Sequence, residues 1–346
     1  MTGYLAPDVG SERKAPNSIA PKLGRLGLGC AGIGNLYRAL PDSRATATVE
    51  AAWDAGIRYF DTAPHYGLGL SEHRLGAVLG GKPRDEFVVS TKVGRLLVPK
   101  QGVPAAETDR ETQEFQDAPR DPEGFDVPAS SRRVWDFSEH GIRQSIEESL
   151  ERLGLDRVDI AYLHDPDVHD LAAGIREGLP ALEKMRAEGL VDAIGVGTNS
   201  AEAALECVES ADLDLVMLAG RYTLLEQPNV PLLERCLKRG TRVVNVGAFN
   251  SGLLARQDVP DDAHYNYAQA PQKQLERARQ LATICGSFGV ELPTAALQFG
   301  LRHPAVVNVT VGANSPEQIR VNAHRMAEEV PEELWAELSR RGLIPS

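Results

Sequence analysis

The sequence predicts an α/β fold, a (β/α)8 barrel carried by one domain. Three observations point to it. Strand-like runs are apolar throughout rather than alternating, so each must be buried on both faces, as in a parallel sheet. Such runs alternate with amphipathic helical runs eight times between residues 26 and 327, which suits a closed barrel better than an open sheet. The two longest irregular segments leave the carboxyl ends of strands, the face on which barrel enzymes carry their chemistry.

In chain order, residues 1–22 carry several charges and no apolar core, and read as a flexible tail rather than a secretory signal. The barrel domain is assigned to 23–346. Strands are expected at 26–29, 59–62, 87–92, 159–164, 193–197, 215–218, 243–247 and 306–311. Helices are expected at 45–55, 72–79, 139–153, 179–188, 202–210, 230–239 and 272–288, with shorter ones at 293–302 and 316–327. Segment 96–135 follows the third strand and is rich in Pro, Gly and charge; segment 255–271 follows the seventh. Insertions of this length in a compact domain act as lids.

Composition narrows the function classes. The 346 residues are 42% hydrophobic and 25% charged, with a formal net charge of −12. An acidic surface lacks the basic footprint of nucleic-acid or anionic-membrane binding, and no run approaches the length of a membrane span. Cys30, Cys207, Cys236 and Cys285 have no metal-ligand or CxxC spacing, and are read as free thiols of a reducing, cytoplasmic compartment. The histidines likewise show no ligand spacing, so no metal is expected. The oligomeric state is not legible.

The chemistry concentrates at strand ends. "DTAPHYG" (61–67) and "STK" (90–92) each close an apolar run, placing Asp61, Tyr66 and Lys92 on the same barrel face. A phenol ordinarily titrates near pH ~10. Beside an ammonium that is itself held by a carboxylate, the phenolate is favoured and the pKa is expected to fall towards neutrality. A third run, "DIAYLHD" (159–165), ends in His164, a group suited to orienting an oxygen. Singly, each has a plain structural explanation; a lysine closing a buried strand does not, because its charge needs a partner.

The dinucleotide fingerprint GxGxxG is matched formally by Gly27, Gly29 and Gly32. Here the glycines lie within the strand and no helix follows at once, so the match is not taken as a Rossmann site. "VTVGANSPEQIRVNA" (309–323) is the better candidate: a strand ends at Gly312 and a helix opens at Pro316 with Ser315 as N-cap, leaving backbone N–H groups for a phosphate.

These strand ends, with "GLGLSEHRLGAVL" after Tyr66 and "ESLERLGLDRVDIAYLHDPD" (148–167), resemble the aldo-keto reductase family over residues 23 to about 327. "HDPD" and "RYTLLEQ" (221–227) resemble its branch of L-fucose, D-threo-aldose and pyridoxal dehydrogenases. The resemblance implies a hydride-transferring oxidoreductase in which Tyr66 is the acid/base, Lys92 lowers its pKa, Asp61 pairs with Lys92, and His164 orients the substrate oxygen. It implies that Gly312, Ala313, Asn314, Gln318 and Asn322 hold the adenosine end of the cofactor. Asn199 would bind the nicotinamide carboxamide, and Ser251, Gly252 and Leu253 would flank the pyrophosphate. The cations that hold a 2′-phosphate in relatives are replaced by Gly312 and Gln318, so NAD is expected to be preferred over NADP, with a swung Arg320 the alternative partner for that phosphate. Two further positions depart: Ala219 stands for the usual glutamine and Val246 for the aromatic that stacks on nicotinamide. The implied substrate is a small carbonyl or carbinol compound: an aldose such as L-fucose or D-arabinose oxidised at C1 to the lactone, with pyridoxal and general aldehydes as alternatives. A cofactor-binding regulatory subunit is the reading from a different class.

Overall fold

The structure, a computed structural model, describes residues 18–100, 119–265 and 268–345. Eight parallel strands close into a barrel: β1 (Leu26–Gly29), β2 (Tyr59–Asp61), β3 (Val88–Val93), β6 (Ile160–His164), β7 (Ala193–Thr198), β8 (Leu215–Ala219), β9 (Arg242–Val246) and β12 (Val306–Gly312). Closure comes where β1 pairs with β12, Gly29 opposite Gly312. The expected strands are all present, with ends shifted by a residue or so. The shared reason for the continuous apolar runs is also visible. One set of alternate residues packs against the surrounding helices and the other fills the barrel.

That two-residue period places the site. Tyr59, Val88, Ile160, Tyr162, Leu215 and Met217 belong to the inner cluster that plugs the barrel. Continuing the same inward phase, Tyr59 leads to Asp61, Val88 to Ser90 and Lys92, and Ile160 to Tyr162 and His164. The apolar plug thus forms a floor under the polar residues. Gly27 is a glycine because of this filling: a Cβ there would stand 2.6 Å from Thr310 Oγ1 and 2.7 Å from the Tyr59 ring. Packing thus accounts for the first glycine of the apparent fingerprint.

Residues 19–22, read from the sequence as the end of a tail, instead close the amino-terminal end of the barrel. Ile19 is 2% exposed and joins the inner cluster with Leu23, the last residue of a short 3-10 turn over Ala20–Leu23. Residues 1–17 lie outside the described residues.

Helices over Asp42–Asp54, Leu70–Leu79, Glu139–Leu153, Leu179–Ala187, Ala201–Ser210, Val230–Arg239, Gln272–Ser287, Leu292–Phe299 and Pro316–Ala327 flank the strands. A further helix, Glu332–Arg340, was not among the sequence expectations. It buries Leu334, Trp335 and Leu338 at three- and four-residue spacing, a pattern too short to stand out among its charged neighbours.

Both expected lids contain regular structure. After β3, β4 (Arg95–Pro99) pairs antiparallel with β5 (Ser131–Trp135); residues 101–118 of that insertion lie outside the described residues. After β9, β10 (His264–Tyr265) pairs with β11 (Ala268–Gln269). Among the described residues no helix is long and apolar enough to cross a membrane, and the four cysteines are free and buried.

Candidate active site

At the carboxyl end of the barrel lies a cavity of about 1290 Å³. Asp61, Tyr66, Lys92 and His164 all line it. Asp61 and Lys92, each 3% exposed, end adjacent strands, and Lys92 Nζ donates to Asp61 Oδ2 at 2.7 Å, to the Thr62 carbonyl at 3.0 Å and to Tyr66 Oη at 2.9 Å. All three ammonium hydrogens are thereby used. Asp61 Oδ1 accepts from Ser90 Oγ at 2.7 Å, and Ser90 is joined at 3.0 Å to the hydroxyl of Tyr59 in the floor. The carboxylate is therefore fixed from below as well as from the side.

Tyr66 is not on a strand. Its loop is set by Gly67, at φ +65°, where a Cβ would come 2.2 Å from the Gly34 carbonyl. Only a residue without a side chain allows this backbone approach, and the approach aims Tyr66 into the cavity. Phe125, from the segment after β4, stacks on the Tyr66 ring at 6.0 Å between centroids. His164 stands edge-on to Tyr66 at 6.1 Å.

The electrostatics correct one expectation. Burial pushes the Tyr66 hydroxyl up, to about 12; Lys92 acts downward, as its proximity requires, while Asp61 acts upward. The lysine thus limits the rise and does not bring the phenol towards neutrality. What the sequence reading left out is desolvation of the phenolate. Burial works against the Lys92 charge too, but Asp61 and Tyr66 hold its pKa above the ordinary lysine value. Burial and the nearby cations Arg95 and Lys92 hold His164 well below the usual histidine range, so it is a neutral imidazole. Chemically, the arrangement presents a protonated phenol and a neutral imidazole to one small space, backed by a locked ammonium.

Several lining groups, and the residues that support them, were missed in the sequence. The Asn35 carbonyl accepts from the Asp126 N–H and the Tyr37 N–H donates to the Gly124 carbonyl, tying the β1 loop to residues 124–126 and holding Phe125 over the site. Arg133, on β5, grips Asp121 through two 2.7 Å hydrogen bonds and donates to the His65 carbonyl at 2.8 Å. His65 and Glu123 line the cavity, and burial together with Arg133 and Arg95 pushes His65 down to about 2. Arg221 also lines it, held by the Asn199 carbonyl at 2.8 Å. The available signal was weak: single polar residues in long insertions, without spacing.

Of the expected cofactor residues, Asn199, Ser251 and Gly312 line the cavity, as do Ala219 and Val246 at the two departing positions. Gly252, Leu253, Ala313, Asn314, Gln318 and Asn322 do not. Leu253 is 1% exposed in the core and Asn322 is 6% exposed beneath the helix start. Ser315 caps the helix Pro316–Ala327 by accepting from the Gln318 N–H at 3.3 Å, and Gln318 Oε1 accepts from the Asn314 N–H at 2.9 Å. From the other side Arg38 donates to Asn314 Oδ1 and Arg44 to the Asn314 carbonyl. A dinucleotide fits this edge of the cavity: Gly29, Gly220, Gly247 and Gly312 present backbone without Cβ atoms, and Asn250 Oδ1 is buried there with no hydrogen-bond partner among the described residues. No cluster of metal-ligating side chains is found among the described residues.

Comparison with known proteins decides the family. The signature of the Aldo/keto reductase family matches residues 25–340. The chain belongs to that family. It is a nicotinamide-dependent oxidoreductase, since that cofactor is the family's. It is 52% identical to a D-threo-aldose 1-dehydrogenase from a Pseudomonas species over 93% of this chain and 94% of that protein. It is 38% identical to a pyridoxal 4-dehydrogenase from Microbacterium luteolum, over 96% and 98% of the two chains. Among solved structures, a glycerol dehydrogenase from Gluconobacter oxydans superposes with a TM-score of 0.71 at 24% identity, covering 94% of each chain, which bears on the barrel fold alone. With these relatives the aldo-keto reductase barrel and the oxidoreductase class stand as the sequence implied.

Proposed function

We propose that this aldo-keto reductase oxidises a free aldose at C1, giving the lactone, with NAD as the preferred acceptor. The observation that carries the reading is the polar wall of the cavity: Glu123 and Asp165 face the same space as Tyr66 and His164, where a general aldehyde reductase would be expected to offer apolar surface. The 52% identity to a D-threo-aldose 1-dehydrogenase supports it.

The acting residues are assigned as follows. The anomeric hydroxyl lies between Tyr66 Oη and His164. Tyr66 takes the hydroxyl proton in oxidation and returns it in the reverse direction. Lys92, held by Asp61, supplies the positive charge that limits the cost of the phenolate. Neutral His164 hydrogen-bonds the oxygen as its charge changes, stabilising the transition state. Nicotinamide, when bound, supplies the acceptor for the hydride that leaves C1. Asn199, Ser251 and Gly312, at the cavity wall, are proposed to touch the cofactor, with Gly252, Ala313, Asn314 and Gln318 flanking them and the buried Leu253 and Asn322 supporting the backbone that holds it. Arg221 and Asn250 join them at the cavity edge. NAD preference rests on Gly312 and Gln318, which offer a 2′-phosphate no cation. The acidic net charge of −12 and the free, buried cysteines favour a cytoplasmic enzyme without nucleic-acid or membrane partners.

Initial rates with L-fucose, D-arabinose and pyridoxal, each with NAD, test the substrate. Turnover of pyridoxal far above both sugars would replace the aldose reading with the one favoured by the 38% relative. Cofactor binding with no turnover of any carbonyl or carbinol would favour a regulatory subunit.

A further inference from the structure

Asp165 follows His164 directly and forms part of the polar cavity wall, yet the chemical steps assign it no role. Its backbone is left-handed, at φ 40° and ψ 55°, a region that aspartate tolerates better than most side chains but still at a cost. Two anchors hold it there. Its N–H donates to the Gly197 carbonyl at 2.8 Å, fixing the turn off β6 against β7. Arg95 Nη2 donates to Asp165 Oδ2 at 2.7 Å. Arg95 is itself 7% exposed, lies 4.2 Å over the Trp135 ring, and has Glu123 at 3.8 Å.

The two carboxylate oxygens differ in consequence. Oδ2 meets Arg95 and lies 3.5 Å from His164 Nε2. Oδ1 has no hydrogen-bond partner among the described residues, and Asp165 caps no helix with its side chain. A carboxylate oxygen is only an acceptor. Placed beside a cavity with its partner oxygen locked, it can be satisfied by a ligand that donates.

We propose that Asp165 is the specificity-determining residue of the pocket, its Oδ1 accepting a hydrogen bond from the hydroxyl on the carbon next to the reacting one. The proposal rests on the aldose reading and narrows it to substrates bearing that vicinal hydroxyl. The geometry supports the assignment. Vicinal hydroxyl oxygens stand about one hydrogen-bond length apart (~2.8 Å). His164 Nε2 lies 3.5 Å from the Asp165 carboxylate, so with the reacting oxygen at His164 a vicinal hydroxyl is within reach of that carboxylate. Arg95 is the positioning residue: it orients the carboxylate and compensates its charge in a buried setting. A substrate without that hydroxyl leaves an ionised acceptor facing it unpaired, which is how a built polar site rejects an analogue.

The test pairs L-fucose with 2-deoxy-L-fucose in wild type and in Asp165→Asn. The expected wild-type kcat/KM preference for L-fucose is about 10- to 100-fold, the usual effect of losing a hydrogen bond to a charged acceptor. In Asp165→Asn the amide oxygen turns to Arg95 and its NH2 group faces the cavity, leaving at most a neutral hydrogen bond to the hydroxyl oxygen in place of the charged acceptor, so the preference falls to about threefold. The two losses are therefore strongly non-additive. Asp165→Ser, which shortens the side chain, gives a second reading of the same ratio. Equal wild-type turnover of both sugars overturns the proposal without any variant. So does a preference that survives intact in the variants, which would leave Asp165 a purely structural anchor of His164. Failure of the underlying reading looks different: wild type then oxidises neither sugar while reducing simple aldehydes with NADH, and both ideas fall together.

Discussion

Lys92 Nζ lies 2.9 Å from Tyr66 Oη and 2.7 Å from Asp61 Oδ2, so a single buried ammonium joins the phenol to the carboxylate. Removing the phenolic oxygen should leave this pair in place. Tyr66→Phe is expected to lower kcat by a factor of about 10²–10⁴, the usual contribution of a positioned acid/base. Cofactor affinity, measured by fluorescence titration, should change less than threefold. A variant that keeps more than a tenth of the wild-type rate would remove Tyr66 from its assigned role.

The pH dependence follows from the direction of the Tyr66 shift. Its pKa is raised to about 12, so the phenol is protonated throughout the neutral range. Carbonyl reduction needs that proton, and its kcat/KM should be flat from pH 6 to 9. Oxidation needs the proton gone, and its kcat/KM should rise with pH by up to about one decade per unit. Burial holds His164 well below its ordinary range, so neither profile should bend near pH 6.5. A reduction rate that declines between pH 7 and 9 would show an acid titrating in that window and contradict the assignment.

The Asp61–Lys92 pair also has a stability consequence. Both side chains are almost fully buried, at 4% and 3% exposure. Asp61→Leu leaves the ammonium buried without its carboxylate, and is expected to cost about 3–5 kcal/mol in urea unfolding. Adding Lys92→Met removes that orphaned charge, and the double variant should recover most of the loss while remaining inactive. Equal instability of the single and double variants would mean that packing, not charge, makes Asp61 necessary.

The barrel was legible because burial on two faces writes itself into continuous apolar runs, as in β3 and β6. The strand-end residues were legible for a related reason: Lys92 and His164 interrupt those runs where polarity has no packing purpose. The sequence could not convey how burial would compete with Lys92 at Tyr66, because desolvation depends on what covers the ring. Phe125 covers it, and lies 59 positions away within an irregular insertion. Nor could it reveal that Arg95 reaches Asp165, or that Arg38 and Arg44 converge on Asn314, since these contacts join loops with no shared periodicity.

Those last two arginines sharpen the cofactor prediction. Arg44 is already engaged with the Asn314 carbonyl and stands 4.0 Å from Glu317, while Arg38 is engaged with the Asn314 side chain. With Gly312 and Gln318 carrying no charge, neither arginine is set aside for a phosphate, and kcat/KM should favour NAD over NADP by about tenfold or more. At Gly312 a Cβ would meet nothing within 4 Å, so a longer side chain is accommodated there. Gly312→Lys combined with Gln318→Arg should therefore move the ratio towards NADP by at least about tenfold without changing turnover in saturating cofactor. Higher wild-type efficiency with NADP would mean that Arg38, Arg44 or Arg320 leaves its present position to bind the 2′-phosphate, and Ala substitution of each in turn would identify which.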